Sequence, residues 1–124
     1  MASSSWPERT YRITRADLVA YAEASGDHNP IHQDDAVARS VGLSGVIAHG
    51  MYTLALAARY VDEELGEPAR IAQIGAKFTR PVVVPVDGVD VTVQGELRDE
   101  KTVMLTVTCD GEKVLGAASA VLHG

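Results

Sequence analysis

Met51-Tyr-Thr-Leu-Ala-Leu-Ala-Ala-Arg-Tyr-Val61 decides the fold, because only Thr53 and Arg59 in it are clearly polar. A helix built from this stretch is apolar round nearly its whole circumference and has to be surrounded by other structure. Its alanines let a neighbouring backbone or a ligand approach closely, which suits a helix enclosed by a curved sheet.

Beyond that helix the hydrophobic period changes from helical to alternating. Ala72, Ile74, Ala76 and Phe78 fall on one face with Gln73, Lys77 and Thr79 on the other, the pattern of a half-buried strand. Val89, Val91, Val93 and Leu97 alternate with polar neighbours, as do Val103, Leu105, Val107 and Cys109. Asp110-Gly111 ahead of Val114 predicts a hairpin, since a tight turn needs positive φ at its centre, and the last strand then runs to about Leu122. Pro81 and Pro85 mark an edge or a bend between strands.

On the other side of the central helix, Thr14 with Asp17 predicts an N-terminal cap for a helix over Arg15 to Ser25 that Gly26 ends. Asp34 caps a short helix through about Val41, and Gly42, Ser44 and Gly45 break the chain before Val46. Helices followed by a run of antiparallel strands predict an α+β fold with the apolar helix packed inside the sheet.

The 124 residues suffice for one core and not two, so an active site for a long substrate calls for a second subunit. Residues 1–9, with Ser3, Ser4, Ser5 and Pro7 and no apolar signal core, are expected to be a mobile tail, leaving 10–124 as the single domain. No apolar run approaches membrane-spanning length. Eleven Lys plus Arg against seventeen Asp plus Glu give a formal charge of −6, which opposes nonspecific attraction to nucleic acid or anionic lipid. Cys109 is the sole cysteine, expected to be a buried structural thiol, and a cytoplasmic location is the expectation.

The segment Gly26-Asp27-His28-Asn29-Pro30-Ile31-His32 is too rich in turn formers for regular structure and predicts a shaped loop. Pro30 confines Asn29 to extended conformations, so the loop can aim the Asp27 carboxylate and the His32 imidazole at one water, and such a pair moves protons near neutral pH. On spacing alone, an Asx-type cap beside a surface imidazole is the commoner meaning of these residues. Downstream, Ile47-Ala48-His49-Gly50-Met51 leads into the apolar helix, where N–H groups around Gly50 have no helical acceptor and can hold an oxyanion. The bland alternative is a plain helix start. His49 suits a capping or structural hydrogen bond, and His28 and His123 read as exposed. No metal site is expected, since a Pro-containing turn separates His28 from His32 and Asp34 and Asp35 serve as helix-start residues. Gly42, Gly45 and Gly50 lack the preceding strand and lysine of a nucleotide loop, so no cofactor is expected.

The residues from Tyr21 through His32, Tyr-Ala-Glu-Ala-Ser-Gly-Asp-His-Asn-Pro-Ile-His, followed by Ala48-His-Gly-Met51, together resemble the MaoC-like (R)-specific enoyl hydratases. Within that group the resemblance, from Tyr11 through Leu122, is strongest to the catalytic subunits of bacterial type II (3R)-hydroxyacyl-carrier-protein dehydratases. It implies a hot-dog fold, in which a long central helix is wrapped by a curved antiparallel sheet and paired with another subunit. The implied activity is that of a hydro-lyase acting on coenzyme A or acyl-carrier-protein thioesters. Asp27 and His32 match the dyad that orients the water, Gly50 the glycine whose N–H faces the thioester oxygen, and Asn29 a loop residue grouped with it in support of the site. Ala58 stands where some members carry a serine. The partner is either a second copy or a related hot-dog subunit, and Lys77, Arg80 and Lys101 are expected to offer a basic patch to a carrier. Competing readings are a hot-dog thioesterase, for which an acid beside the helix is expected instead, and a noncatalytic acyl-binding subunit, against which the presence of both Asp27 and His32 argues.

Overall fold

A computed structural model describes residues 4–67 and 70–123. The chain runs β1 (Ser4–Ser5), β2 (Arg9–Ile13), α1 (Arg15–Ser25), a 3-10 turn (Pro30–His32), α2 (Asp35–Ser40), α3 (Gly50–Leu65), β3 (Ile71–Phe78), β4 (Val89–Leu97), β5 (Thr102–Cys109) and β6 (Glu112–Leu122). The capping box at α1 forms as its sequence predicts: the Thr14 side chain accepts from Asp17 N, and the Asp17 carboxylate accepts from Thr14 N. Asp34 caps α2 by accepting from Ala36 N and Val37 N. The hairpin forms with Asp110 at φ 53° and Gly111 at φ 79°.

All strands join one antiparallel sheet in the order β1-β4-β5-β6-β3, with β2 also paired to β4. The alternation in β4 and β5 puts Val91, Val93, Val103 and Val107 wholly inside, where they meet Ala57, Tyr60 and Val61 of α3. Burial of this apolar surface supplies the main force holding the helix on the sheet.

Four expectations are corrected. The central helix is not surrounded within one chain: Met51 is 57% exposed and, with Ala55 and Arg59, makes an open stripe at four-residue spacing, one helical face. The simple alternation predicted from Ala72 to Phe78 is broken at its start, where the register shift between Ile71 and Gln73 places an extra residue on β3. Ile71, Ile74 and Ala76 pack on the core while Ala72 is exposed, because an extra residue in a strand reverses the side it presents. Phe78 keeps the side of Ile74 and Ala76, opposite buried Leu115, and is exposed at the strand's end.

The expected tail 1–9 is the third. Residues 1–3 lie outside the described residues, but Ser4 and Ser5 pair with Leu97 and Glu96, and Trp6 N donates to Gly95 O at 2.9 Å. Trp6 also packs 6.2 Å from Tyr60, whose hydroxyl donates to Pro7 O at 2.7 Å and accepts from Gly95 N at 2.9 Å. An indole with an apolar wall to cover and a buried phenol in need of partners anchor the segment despite its serines.

The basic patch does not assemble as expected either. Lys77 faces Gly116 near one end of β3, whereas Lys101 adjoins Leu122, the residue opposite Ile71 at the other end. Six residues of strand, roughly 20 Å, separate them. Arg80 is already paired with Glu112 at 2.9 Å. Cys109 is buried and free, as expected, and burial raises its thiol pKa.

Candidate active site

Two side-chain caps in succession shape the loop between α1 and α2. Asp27 accepts from Asn29 N at 3.2 Å through its carboxylate, and Asn29 accepts from Ile31 N at 3.2 Å to cap the 3-10 turn that carries His32. Ser25 Oγ accepts from Asp27 N at 3.1 Å. Short polar side chains that bond to backbone two residues away are what lets this stretch turn without a ladder partner. Asn29 therefore supports the loop geometry as the sequence resemblance implies. It is not among the residues lining either cavity described below.

His32 is held from the opposite direction. Ile47 N donates to Ile31 O at 3.1 Å, and His32 Nδ1 bonds to Ile47 O at 2.7 Å. The segment around Ile47 is itself pinned, since Ala48 N donates to Val82 O, Val84 N donates to Val46 O, and Ile47 bridges Val83. A carbonyl only accepts, so Nδ1 carries the proton, and in the neutral ring Nε2 presents a lone pair.

His49, at the N-cap of α3, makes no side-chain cap bond. Its Nε2 instead donates to the backbone carbonyl of Asp27 at 3.1 Å, the structural alternative of the two anticipated. Its ring stacks on His32 with centroids 3.7 Å apart and planes at 23°, and Tyr21 leans on it at 4.7 Å. His49 Nδ1 is buried without a partner. His28 and His123 are exposed, as expected.

Asp27 is exposed while His32 and His49 are 7% and 2% exposed. One polar atom from each lies within 4.8 Å of the others, a span that a single water making two hydrogen bonds of about 2.8 Å can bridge. The same three residues are a geometric candidate for a cation. Stacked rings, however, send their in-plane lone pairs along parallel planes, whereas a shared ion needs them to converge at about 2 Å.

Asp27, His32, His49 and Gly50 all line one cavity of about 340 Å³, together with Tyr21 and Phe78. Gly50 is the first residue of α3, so its N–H has no helical acceptor and lies at the positive end of the helix dipole. A second cavity of about 380 Å³ adjoins it, sharing His32, Gly50 and Phe78 and otherwise walled mainly by Leu43, Ile47, Val82, Val114 and Leu115. Ala55, Ala57 and Ala58 line neither; Ala57 is buried in the core and Ala58 partly so, whereas Ala55 is on the open stripe. Sequence reasoning missed Tyr21 and Phe78 as site residues. Tyr21 lies one and a half turns before Asp27 on a helix face, and Phe78 reads as one more core position of a strand.

The geometry has close counterparts. A family model for the MaoC-like domain matches residues 4–113. The chain is 37% identical over 79 residues to 3-hydroxyacyl-thioester dehydratase X of Mycobacterium tuberculosis, an alignment covering 64% of this chain and 27% of that protein. It is 30% identical over 106 residues to 3-hydroxybutyryl-CoA dehydratase of Methylorubrum extorquens, covering 83% of this chain and 68% of the relative. The solved (R)-hydratase from A. caviae involved in PHA biosynthesis superposes with a TM-score of 0.80 at 27% identity, covering 98% of this chain and 94% of that one. The chain thus spans about a quarter of the first relative and nearly all of the solved hydratase. Helix, sheet and loop order are those of the hot-dog fold expected from the sequence, and the chain belongs to the MaoC-like dehydratase family.

Proposed function

We propose that this protein is a hydro-lyase that interconverts (3R)-hydroxyacyl thioesters and trans-2-enoyl thioesters, with Asp27 and His32 as the proton-transfer pair and Gly50 as the oxyanion donor. The observation that carries the reading is one cavity lined by an acid, an imidazole with a free nitrogen, and the bare start of a helix. In dehydration a proton leaves the α-carbon, hydroxide leaves the β-carbon with a second proton as water, and the electron pair becomes the double bond. Asp27 and His32 between them take the first proton and give the second. The charge that builds on the thioester oxygen meets the N–H of Gly50, whose position is fixed before the reaction begins. Asn29 keeps the pair in register through the loop.

Both coenzyme A and carrier-protein thioesters suit a cavity open to the surface beside Met51. The outer edge of β3 has no strand partner among the described residues, and an unpaired edge is a ready place for a second hot-dog subunit, a second copy of this chain or a related one. No helix among the described residues is long and apolar enough to cross a membrane. We place the protein in the cytoplasm, where its one buried thiol stays reduced.

Crotonyl-thioester absorbance should fall on adding purified protein, with coenzyme A and carrier-protein forms assayed side by side and light scattering reporting subunit number. Asp27→Asn and His32→Ala should each abolish the fall while leaving the protein folded. Full activity in either variant would remove the dyad assignment, and release of free thiol in place of hydration would favour a thioesterase.

A further inference from the structure

Phe78 ends β3 with 57% of its surface exposed, yet its ring has a defined seat. A Cβ built on Gly50 would lie 3.1 Å from two ring atoms of Phe78 and 3.2 Å from a third, so the ring rests on the bare Cα of Gly50. His32, Gly50 and Phe78 are the three residues that belong to both cavities. Of these, Phe78 alone is a large, substantially exposed side chain: His32 is buried and bonded to Ile47 O, and Gly50 has no side chain to move. On one side of the ring lie Asp27 and His49, and on the other an apolar chamber walled by Leu43, Ile47, Val82, Val114 and Leu115.

We propose that Phe78 is the partition that sets acyl-chain length, closing the apolar chamber to short substrates and turning outward to admit a long chain. This rests on the thioester reading above, and extends it to a residue and a substrate property. Within one chain much of the ring faces water, so a staggered rotamer change at the end of the strand disturbs little of that chain's own packing. What the ring gives up against Gly50 is replaced when an acyl tail fills the chamber, because each methylene taken from water into apolar walls gains free energy. Thr53, Thr79 and Arg80 also border this cavity, the arginine already paired with Glu112, and the rest of the wall is mainly apolar. The chamber therefore favours hydrocarbon, and the volume behind the ring sets how much of it.

The test uses the full chain with Phe78→Ala and Phe78→Trp, each first shown to unfold cooperatively. Two readouts are taken with four-carbon and twelve-carbon thioesters of coenzyme A: hydration of the enoyl forms, and binding of the saturated forms by calorimetry. Phe78→Ala should raise the twelve-carbon to four-carbon ratio of kcat/KM, and of affinity, by about tenfold, and Phe78→Trp should lower both ratios by a similar factor. Ratios unchanged in both variants would overturn the partition. Chain-length-dependent binding that responds to the variants without any hydration would keep the partition and overturn the hydro-lyase reading. Failure of every protein to bind either saturated thioester would overturn both.

Discussion

The imidazole of His49 touches both members of the proposed dyad at once: it lies on His32 with ring centroids 3.7 Å apart, and its Nε2 holds the backbone carbonyl of Asp27 at 3.1 Å. In the proposed reaction these contacts set the distance across which Asp27 and His32 would share a water, which makes His49 a positioning residue there.

Two substitutions separate its duties. His49→Phe keeps a flat ring on His32 and loses the bond to Asp27, whereas His49→Gln keeps a donor and loses the stack. Each should lower kcat for crotonyl-thioester hydration about 10- to 100-fold with KM changed far less, because a side chain still fills the His49 position in the cavity wall and what is lost is the placement of the dyad. Since His49 Nδ1 is buried without a partner, His49→Phe also removes an unsatisfied atom and should leave unfolding free energy within about 1 kcal/mol of the parent. A large stability loss accompanied by an equal fall in kcat for both variants would mean that His49 is merely structural.

How much of this was legible beforehand depended on whether the determining contacts are local. Thr14 and Asp17 announce α1 because the capping box lies within four residues, and Asp110-Gly111 announces its hairpin for the same reason. The Asp27 and His32 loop is legible as a loop, but His32 Nδ1 reaching Ile47, and His49 reaching back to Asp27, need contacts across 15 and 22 residues that no spacing encodes. The strand through Phe78 misleads because an extra residue at Ala72 reverses its alternation there. The N-terminal serines mislead because composition says nothing of the Tyr60 hydroxyl waiting for Pro7.

That N-terminal anchorage is testable. Tyr60→Phe deletes the hydroxyl that donates to Pro7 O and accepts from Gly95 N, and should destabilise by about 1–3 kcal/mol by leaving a buried N–H unpaired. Gly95→Ala places a methyl 2.9 Å from the Tyr60 ring and 3.2 Å from Trp6, an overpacking cost of about 1–3 kcal/mol. Urea unfolding measures both. Proteolysis near Trp6 should speed up in each variant, and unchanged cleavage in both would return the segment to a free tail.

Acid should attack the structure partly through Asp35. Its carboxylate accepts from Arg15 at 2.8 Å and from Val46 N at 3.0 Å, and these bonds, the arginine's first, hold its pKa below the usual carboxylate range. A folded pKa below the unfolded one contributes stability that is present above the unfolded value, near 4, and is lost as pH falls through the folded value. The urea midpoint of the parent should therefore drop between about pH 5 and pH 2. Asp35→Asn should start lower at neutral pH and fall less steeply, and parallel curves for the two proteins would show that Asp35 contributes nothing to acid sensitivity.

Ala117 offers a gain instead of a loss. Between Leu105 and Val107 of β5, which pair with Ala118 and Leu115, β6 carries one residue too many, and the excess is absorbed with Ala117 at φ 48°. The bulge is what allows Leu115 and then Ala118, Ala120 and Leu122 all to face the core. A left-handed backbone costs a residue with a Cβ about 1–2 kcal/mol, whereas glycine adopts it freely and loses about 0.5–1 kcal/mol through the greater freedom of its unfolded chain. The Ala117 side chain is exposed, so its removal empties no cavity. Ala117→Gly should then raise unfolding free energy by up to about 1.5 kcal/mol, the difference of those two terms. Ala117→Val should lower it, because a β-branched side chain tolerates positive φ least. Urea midpoints that move in the opposite order would show that the bulge is not held in this strained conformation in solution.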